Sequence, residues 1–172
     1  MRSLTIRHLL LSLPLLSACY SAPQSTVDTV TLSAIEAFRF EEGSGIYAEK
    51  SRQGLAINAA KTENREIFIP STSTVNWLSK PQDYQAIITV TSEIDGESRY
   101  QLLIGDKLIK EVVAPETDKD FFNTTISLGS VILKPQDTLT IQSNAVTNGK
   151  IPENGGTAYS RGRWTTLDLI PE

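Results

Sequence analysis

The side chains best equipped for chemistry lie close together near the C-terminus. Residues 144–163 hold Asn144, Asn148, Lys150, Glu153, Tyr159, Arg161 and Arg163, and Trp164 follows at once. Tyr159 and Trp164 offer flat apolar faces, and the amides, Lys150 and Glu153 offer donors and acceptors. The two arginines can grip a planar or oxyanionic group with paired N–H bonds. That is equipment for recognition. The same residues also read as structural cement, with Trp164 in the core and the arginines paired internally, Asp95 and Glu97 being candidate partners. A loop this long inside a compact domain is usually functional or disordered, and its aromatics favour an ordered one. Trp77 and Tyr84 flank Lys80-Pro81 in a second polar stretch, either as a stacking pair or as cover for a sheet edge. Glu36 and Asp168 could meet on neighbouring first and last strands and, with backbone carbonyls, hold calcium; two solvated acids are the alternative. Glu41, Glu42, Glu93, Asp95 and Glu97 supply further carboxylates. Two-carboxylate hydrolysis needs a pair set across a cleft, which sequence neighbours do not provide. The expectation is a protein without catalysis of its own.

The only cysteine, Cys19, and the only histidine, His8, both lie near the start. Arg2 and Arg7 form a basic tip, and Leu9, Leu10, Leu11, Leu13, Leu15 and Leu16 form an apolar run. The run is too short to span a bilayer as a permanent helix and has the layout of a secretory signal. The closing tetrapeptide Leu16-Ser17-Ala18-Cys19 resembles the bacterial lipobox. That resemblance implies a signal peptide over residues 1–18, cleavage before Cys19, and a Cys19 carrying lipid on its thiol and its new amino end. Several acyl chains, palmitate among them, hold a protein stably at a membrane. The alternative is an ordinary signal with an incidental cysteine. Tyr20 occupies the place where aspartate favours inner-membrane retention in lipoproteins of enteric bacteria, so the resemblance points to the outer membrane of a Gram-negative envelope. A mature chain of this kind has no free thiol and no histidine. A Ser-His-Asp triad, a Cys-His pair, a cysteine zinc site and histidine metal sites are all excluded.

The elements that must position these groups read as strands. The chain of 172 residues suits one domain with one core. Its 16 Lys+Arg and 20 Asp+Glu give a net charge of −4, more acidic still without Arg2 and Arg7, a poor match to nucleic acid. Residues 19–31 form a polar tether, and the folded body is expected over 32–172. Strands are expected at 32–38, 46–49, 55–59, 66–69, 84–94, 99–104, 108–113, 124–128, 137–143 and 164–170, with no long helix. Asp95-Gly96 reads as a two-residue hairpin, Gly105-Asp106 as a second turn, and Lys134-Pro135-Gln136-Asp137 as a type I turn. In the last strand Leu167 and Leu169 share one face, with Trp164, Thr166 and Asp168 on the other. Phe121-Phe122 reads as core. Short strands separated by turns predict an all-β fold, an antiparallel β-sandwich of jelly-roll type.

Several blocks of the chain are similar to the galactose-binding-like jelly rolls of bacterial carbohydrate-binding modules, broadly the family 6 type. They are Ile35-Glu36-Ala37, the run from Asp95-Gly96-Glu97-Ser98 to Tyr100-Gln-Leu-Leu-Ile-Gly-Asp, Leu133-Lys-Pro-Gln-Asp-Thr-Leu-Thr-Ile141, and the blocks Ser143-Asn144, Asn148 to Glu153 and Ala158 to Trp164. The second acid of the first-strand pattern is Phe38 here, a departure at the family's structural calcium site. The resemblance implies polysaccharide as the ligand. Sugars present apolar C–H faces and many hydroxyls, which suits Tyr159 and Trp164 as platform and Asn144, Asn148, Lys150, Glu153 and Arg161 as fixed groups. A sulfated or uronic sugar would engage the cations.

The expected protein is thus a lipid-anchored outer-membrane lipoprotein whose sandwich binds a glycan at the cell envelope. The alternative is a structural or assembly lipoprotein whose sandwich binds another envelope protein.

Overall fold

The structure, a computed structural model, describes residues 28–172. The expected signal peptide, Cys19 and most of the expected tether lie outside the described residues. Along the chain run β1 (Val30–Ser33), α1 (Ala34–Ala37), β2 (Ile46–Glu49), β3 (Gly54–Ile57), β4 (Ile69–Thr74), β5 (Gln82–Ser92) and β6 (Arg99–Ile104). They are followed by β7 (Lys107–Val113), β8 (Phe122–Leu133), β9 (Thr138–Ser143), β10 (Pro152–Glu153), β11 (Gly156–Thr157) and β12 (Trp164–Pro171).

Two antiparallel sheets form a sandwich. One has the order β2-β3-β12-β5-β8, with β1 also on β12, and the other has the order β4-β9-β6-β7. β1 runs along β12 from Val30↔Leu169 to Ser33↔Thr166, and β3 meets the same strand at Trp164↔Leu55. The period-two pattern explains the core, because alternate side chains of a strand point to one face. Tyr84, Ala86, Ile88 and Val90 of β5 and Leu167 and Leu169 of β12 are buried, as are Tyr100 and Leu102 of β6 and Leu139 and Ile141 of β9. Each large apolar side chain buried in this way contributes about 1.5–3 kcal/mol. No helix among the described residues is long and apolar enough to cross a membrane.

The all-β sandwich agrees with the sequence reading; the local departures have physical causes. The expected strand 32–38 stops at Ser33, and Ala34-Ile35-Glu36-Ala37 turns once as a helix, with alanine at both ends and glutamate inside favouring it. The turn swings Phe38 into the core, where its ring meets Trp164 edge-on at 4.8 Å between centroids. The strand expected at 66–69 starts only at Ile69, since Glu66 sits at a left-handed φ of 61°. β4 accommodates Pro70 because it is an edge strand. Asp95-Gly96 does form a tight turn, bridged by Glu93↔Gly96, but the strands it joins, β5 and β6, belong to opposite sheets. A bulge between Trp164 and Thr166 rotates Trp164 onto the core face with Leu167 and Leu169, against the expected alternation. Phe121 and Phe122 are exposed, not core; Phe121 sits just before β8 at a left-handed φ of 59°, with the Arg52 guanidinium 3.4 Å from its ring centroid.

The edges differ. β7 carries Lys107, Lys110 and Glu111, and β2 is short, both devices that discourage strand pairing. β8 has twelve residues and no charge, with Phe122 and Ile132 exposed. Ile132→Lys is expected to shift stability by less than about 0.5 kcal/mol, as surface changes do, and to raise solubility. Urea unfolding and a concentration series in light scattering check both.

Candidate binding site

The loops 38–45, 58–68, 93–98 and 144–163 meet at one end of the sandwich, where β5 and β9 finish and β2, β4, β6 and β12 begin. Several residues expected to bind ligand are instead what builds this end. Arg163 is buried and donates from Nε to Glu49 Oε2 at 2.6 Å and from Nη1 to buried Glu93. Its partners are therefore Glu49 and Glu93, not Asp95 or Glu97. Its carbonyl accepts from Tyr100 Oη at 2.8 Å and from the Thr91 N–H at 3.0 Å. Burial disfavours the charge on Arg163, but the two carboxylates outweigh it and hold the guanidinium more firmly protonated than usual. Burial pushes the Glu93 carboxyl up, against the pull of Arg163 and the N–H of Arg161.

Trp164 and Tyr84 are core residues with 1% and 2% exposure and cannot meet a ligand. Asn144 is fully buried, and its Oδ1 accepts from the Arg99 N–H at 2.7 Å. Asn148 staples the long loop to the 94–96 turn, donating from Nδ2 to the Ile94 carbonyl at 2.9 Å and from its N–H to the Asp95 carbonyl at 2.8 Å. Lys150 pairs with Glu116 at 2.8 Å, which holds the exposed carboxyl below its usual value. Trp77 is half-buried beside a separate hollow of about 410 Å³ that Glu36 and Arg39 also line. The calcium pair is not assembled. Glu36 sits on α1, and Asp168 Oδ1 accepts from Thr31 Oγ1 at 2.6 Å. No cluster of three or more potential metal-ligating acids, histidines or cysteines occurs among the described residues.

What remains open to solvent is the rim of two adjoining hollows that share Arg161. The larger, about 740 Å³, is lined by Arg65, Asp95, Glu153, Tyr159 and Arg161 among others. Tyr159 packs on the small cluster of Ile57, Ala59, Ile69 and Ala145, and the Arg65 guanidinium lies 4.5 Å from its ring centroid. Arg65 is fixed in turn by donating from Nε to the Ala59 carbonyl at 2.8 Å. Burial, Asp120 and Glu153 hold the Asp95 carboxyl above its usual value. The smaller hollow, about 450 Å³, is lined by Gly43, Gly45, Tyr47, Asn58, Lys61 and Arg161. Arg161 Nη1 donates to Tyr47 Oη at 3.2 Å.

Two glycines make this shape possible. At Gly45, with φ +93°, a Cβ would lie 2.5 Å from the Asn64 side chain, which itself holds the Asn58 carbonyl at 3.0 Å. At Gly162, with φ +53°, a Cβ would lie 2.6 Å from the Asn144 carbonyl oxygen. Gly162→Ala is expected to destabilise by more than about 1 kcal/mol, because both the backbone angle and a rigid neighbour oppose it. The midpoint of urea unfolding measures this.

Of the residues the sequence marks as ligand-binding candidates, Tyr159, Glu153 and Arg161 lie on the open rim, whereas Tyr47, Asn58, Lys61 and Arg65 are not among those candidates. The glycine pair Gly43-Ser44-Gly45 just before an aromatic strand was the available signal for Tyr47. Nothing local marks Asn58, Lys61 or Arg65.

No protein-family model matches the chain, and no curated protein does. The fold itself is that of a jelly-roll sandwich, shared with a family 6 carbohydrate-binding module. The chain is similar to the GH26-CBM35 β-(1,4)-mannanase of Podospora anserina, with 17% identity, a TM-score of 0.53, and coverage of 84% of this chain and 28% of that one. It is similar to the insecticidal crystal protein Cry2Aa, with 16% identity, a TM-score of 0.56, and coverage of 84% and 22%. It is also similar to the C-terminal CBM6 of LamC, a marine laminarinase from Zobellia galactanivorans, with 11% identity, a TM-score of 0.54, and coverage of 83% of this chain and 99% of that one. The chain thus spans about a quarter of the first two proteins and nearly the whole of the third. At these identities the likeness is one of fold.

Proposed function

We propose that the protein binds a polysaccharide with the loop end of its sandwich and performs no chemistry on it, while lipid on Cys19 holds it at the outer membrane of the cell envelope. The observation that carries the binding reading is the pair of open hollows meeting at Arg161, one lined by Tyr47 and the other by Tyr159. Concave surfaces with convergent polar groups and an aromatic wall are where small ligands bind. The fold shared with carbohydrate-binding modules supports a glycan as that ligand. Tethering at a surface raises the local concentration of such a weak binder, so modest affinity suffices. The lipid anchor rests on the Leu16-Ser17-Ala18-Cys19 sequence.

Native gel electrophoresis of the protein through immobilised polysaccharides tests the binding. Retardation by at least one polysaccharide is expected, and Tyr47→Ala or Arg161→Ala should weaken it at least tenfold, a change of about 1.4 kcal/mol. For the anchor, mass spectrometry of the membrane-extracted protein is expected to find an N-terminal cysteine carrying acyl chains, and an intact residue 1–18 segment would refute it. The second reading, docking to another envelope protein, is favoured by β8, whose uncharged edge could accept a partner strand. In that case no polysaccharide retards the protein, and Ile132→Lys removes a co-purifying envelope protein.

A further inference from the structure

We infer that the glycan carries acidic groups, carboxylate or sulfate ester, and that Lys61 and Arg161 grip one of them in the smaller hollow; this rests on the glycan-binding reading above. The lining of that hollow includes two cations and no carboxylate. Such a lining is unexpected on a chain with 20 Asp+Glu against 16 Lys+Arg. Neighbouring cations are committed elsewhere. Arg163 pairs with Glu49 and Glu93, Arg52 with Glu49, Arg99 with Glu111 and Lys150 with Glu116. Arg65 is spent on the Ala59 carbonyl and the Tyr159 ring. Neither Lys61 nor Arg161 makes an ion pair among the described residues, and residues 1–27 contain no Asp or Glu that could supply one.

Arg161 is held in place. Its N–H donates to Glu93 Oε2 at 2.8 Å, its carbonyl accepts from the Ile57 N–H at 2.8 Å, and Nη1 donates to Tyr47 Oη at 3.2 Å. The rest of the guanidinium is free to fork onto an oxyanion. Bonds of that charge-assisted kind are about twice as strong as neutral ones. A neutral sugar leaves both cations solvated and gains little from them. Tyr47 supplies a ring beside the cations for the C–H face of the same sugar. Asp95 and Glu153 line the larger hollow and repel an anion there, so the acidic group belongs with Lys61.

Isothermal titration of the full-length protein with four probes tests this: an oligogalacturonate, a sulfated galactan oligosaccharide, a β-mannan oligosaccharide and a β-1,3-glucan oligosaccharide. At least one acidic probe is expected to bind tenfold or more tighter than either neutral one, with affinity falling as salt rises. Lys61→Gln combined with Arg161→Gln should erase that preference while the urea midpoint stays put, both side chains being exposed. Preference for the galacturonate assigns the carboxylate, preference for the galactan assigns the sulfate, and similar affinity for both assigns charge alone. Neutral probes binding as well as or better than acidic ones would overturn the inference and leave the glycan-binding reading intact. No binding by any probe would overturn both.

Discussion

Arg163→Met is expected to lower stability by about 3–5 kcal/mol, the effect of leaving a buried charge without its partner. Glu93 would be the stranded group, since it and Arg163 are almost wholly buried and Arg163 is its only ion-pair partner among the described residues. Glu49 is more exposed and can turn to water. Glu93 also fixes the Arg161 N–H, so the damage should reach the rim of the site and weaken ligand binding. The pH dependence distinguishes this cause from lost packing. Burial already raises the Glu93 carboxyl above its ordinary value, and Arg163 opposes that rise. A carboxyl raised on folding stabilises the fold below its unfolded pKa and loses that contribution as pH rises through the folded one. Without Arg163 the folded value climbs further, so the variant should recover stability relative to the wild type between about pH 7 and about pH 5. Urea unfolding at both pH values measures it, and an unchanged difference would locate the loss in packing instead. Replacing Arg163, Glu93 and Glu49 together by apolar residues of similar size should cost far less than the single change.

Trp164→Ala is the second large effect, about 3–5 kcal/mol, because a large buried ring leaves a cavity the sandwich cannot close. Trp164 is 1% exposed, meets Phe38 edge-on, and pairs across the sheet with Leu55 on one side and Val90 on the other. It therefore locks together β3, β12 and β5 at the end that carries the site. Loss of near-ultraviolet circular dichroism together with a lower urea midpoint would report it, and a fully folded variant that merely lost ligand would restore Trp164 to the binding surface.

These two residues show what the sequence could and could not convey. Alternation along β5, β6, β9 and β12 was legible, because a period of two with β-branched residues has few other uses. Turn chemistry at Asp95-Gly96 was legible as a turn, but nothing nearby told that its strands part into different sheets. The face of Trp164 depended on a bulge, which shifts the alternation by one residue and leaves no mark in the side-chain pattern. The partners of Arg163 lie at Glu49 and Glu93, so pairing was set by topology; nearest acids in sequence were the wrong guide. The long loop lies at the open end of the sandwich, yet its conspicuous residues Asn144, Asn148, Arg163 and Trp164 serve to hold it down. The rim that faces solvent is completed by Tyr47, Asn58, Lys61 and Arg65, side chains contributed by the short strand β2 and the 58–68 loop. A composite site of this kind becomes visible only when the chain ends of several strands are brought together.

The most direct test is chemical-shift mapping of the nitrogen-15-labelled protein during titration with the tightest of the four oligosaccharides. Perturbed amides should concentrate at Tyr47, Asn58, Lys61, Tyr159 and Arg161 and leave the β8 edge silent. Shifts confined to β8 or to the Trp77 hollow, with the loop end unmoved, would contradict the account.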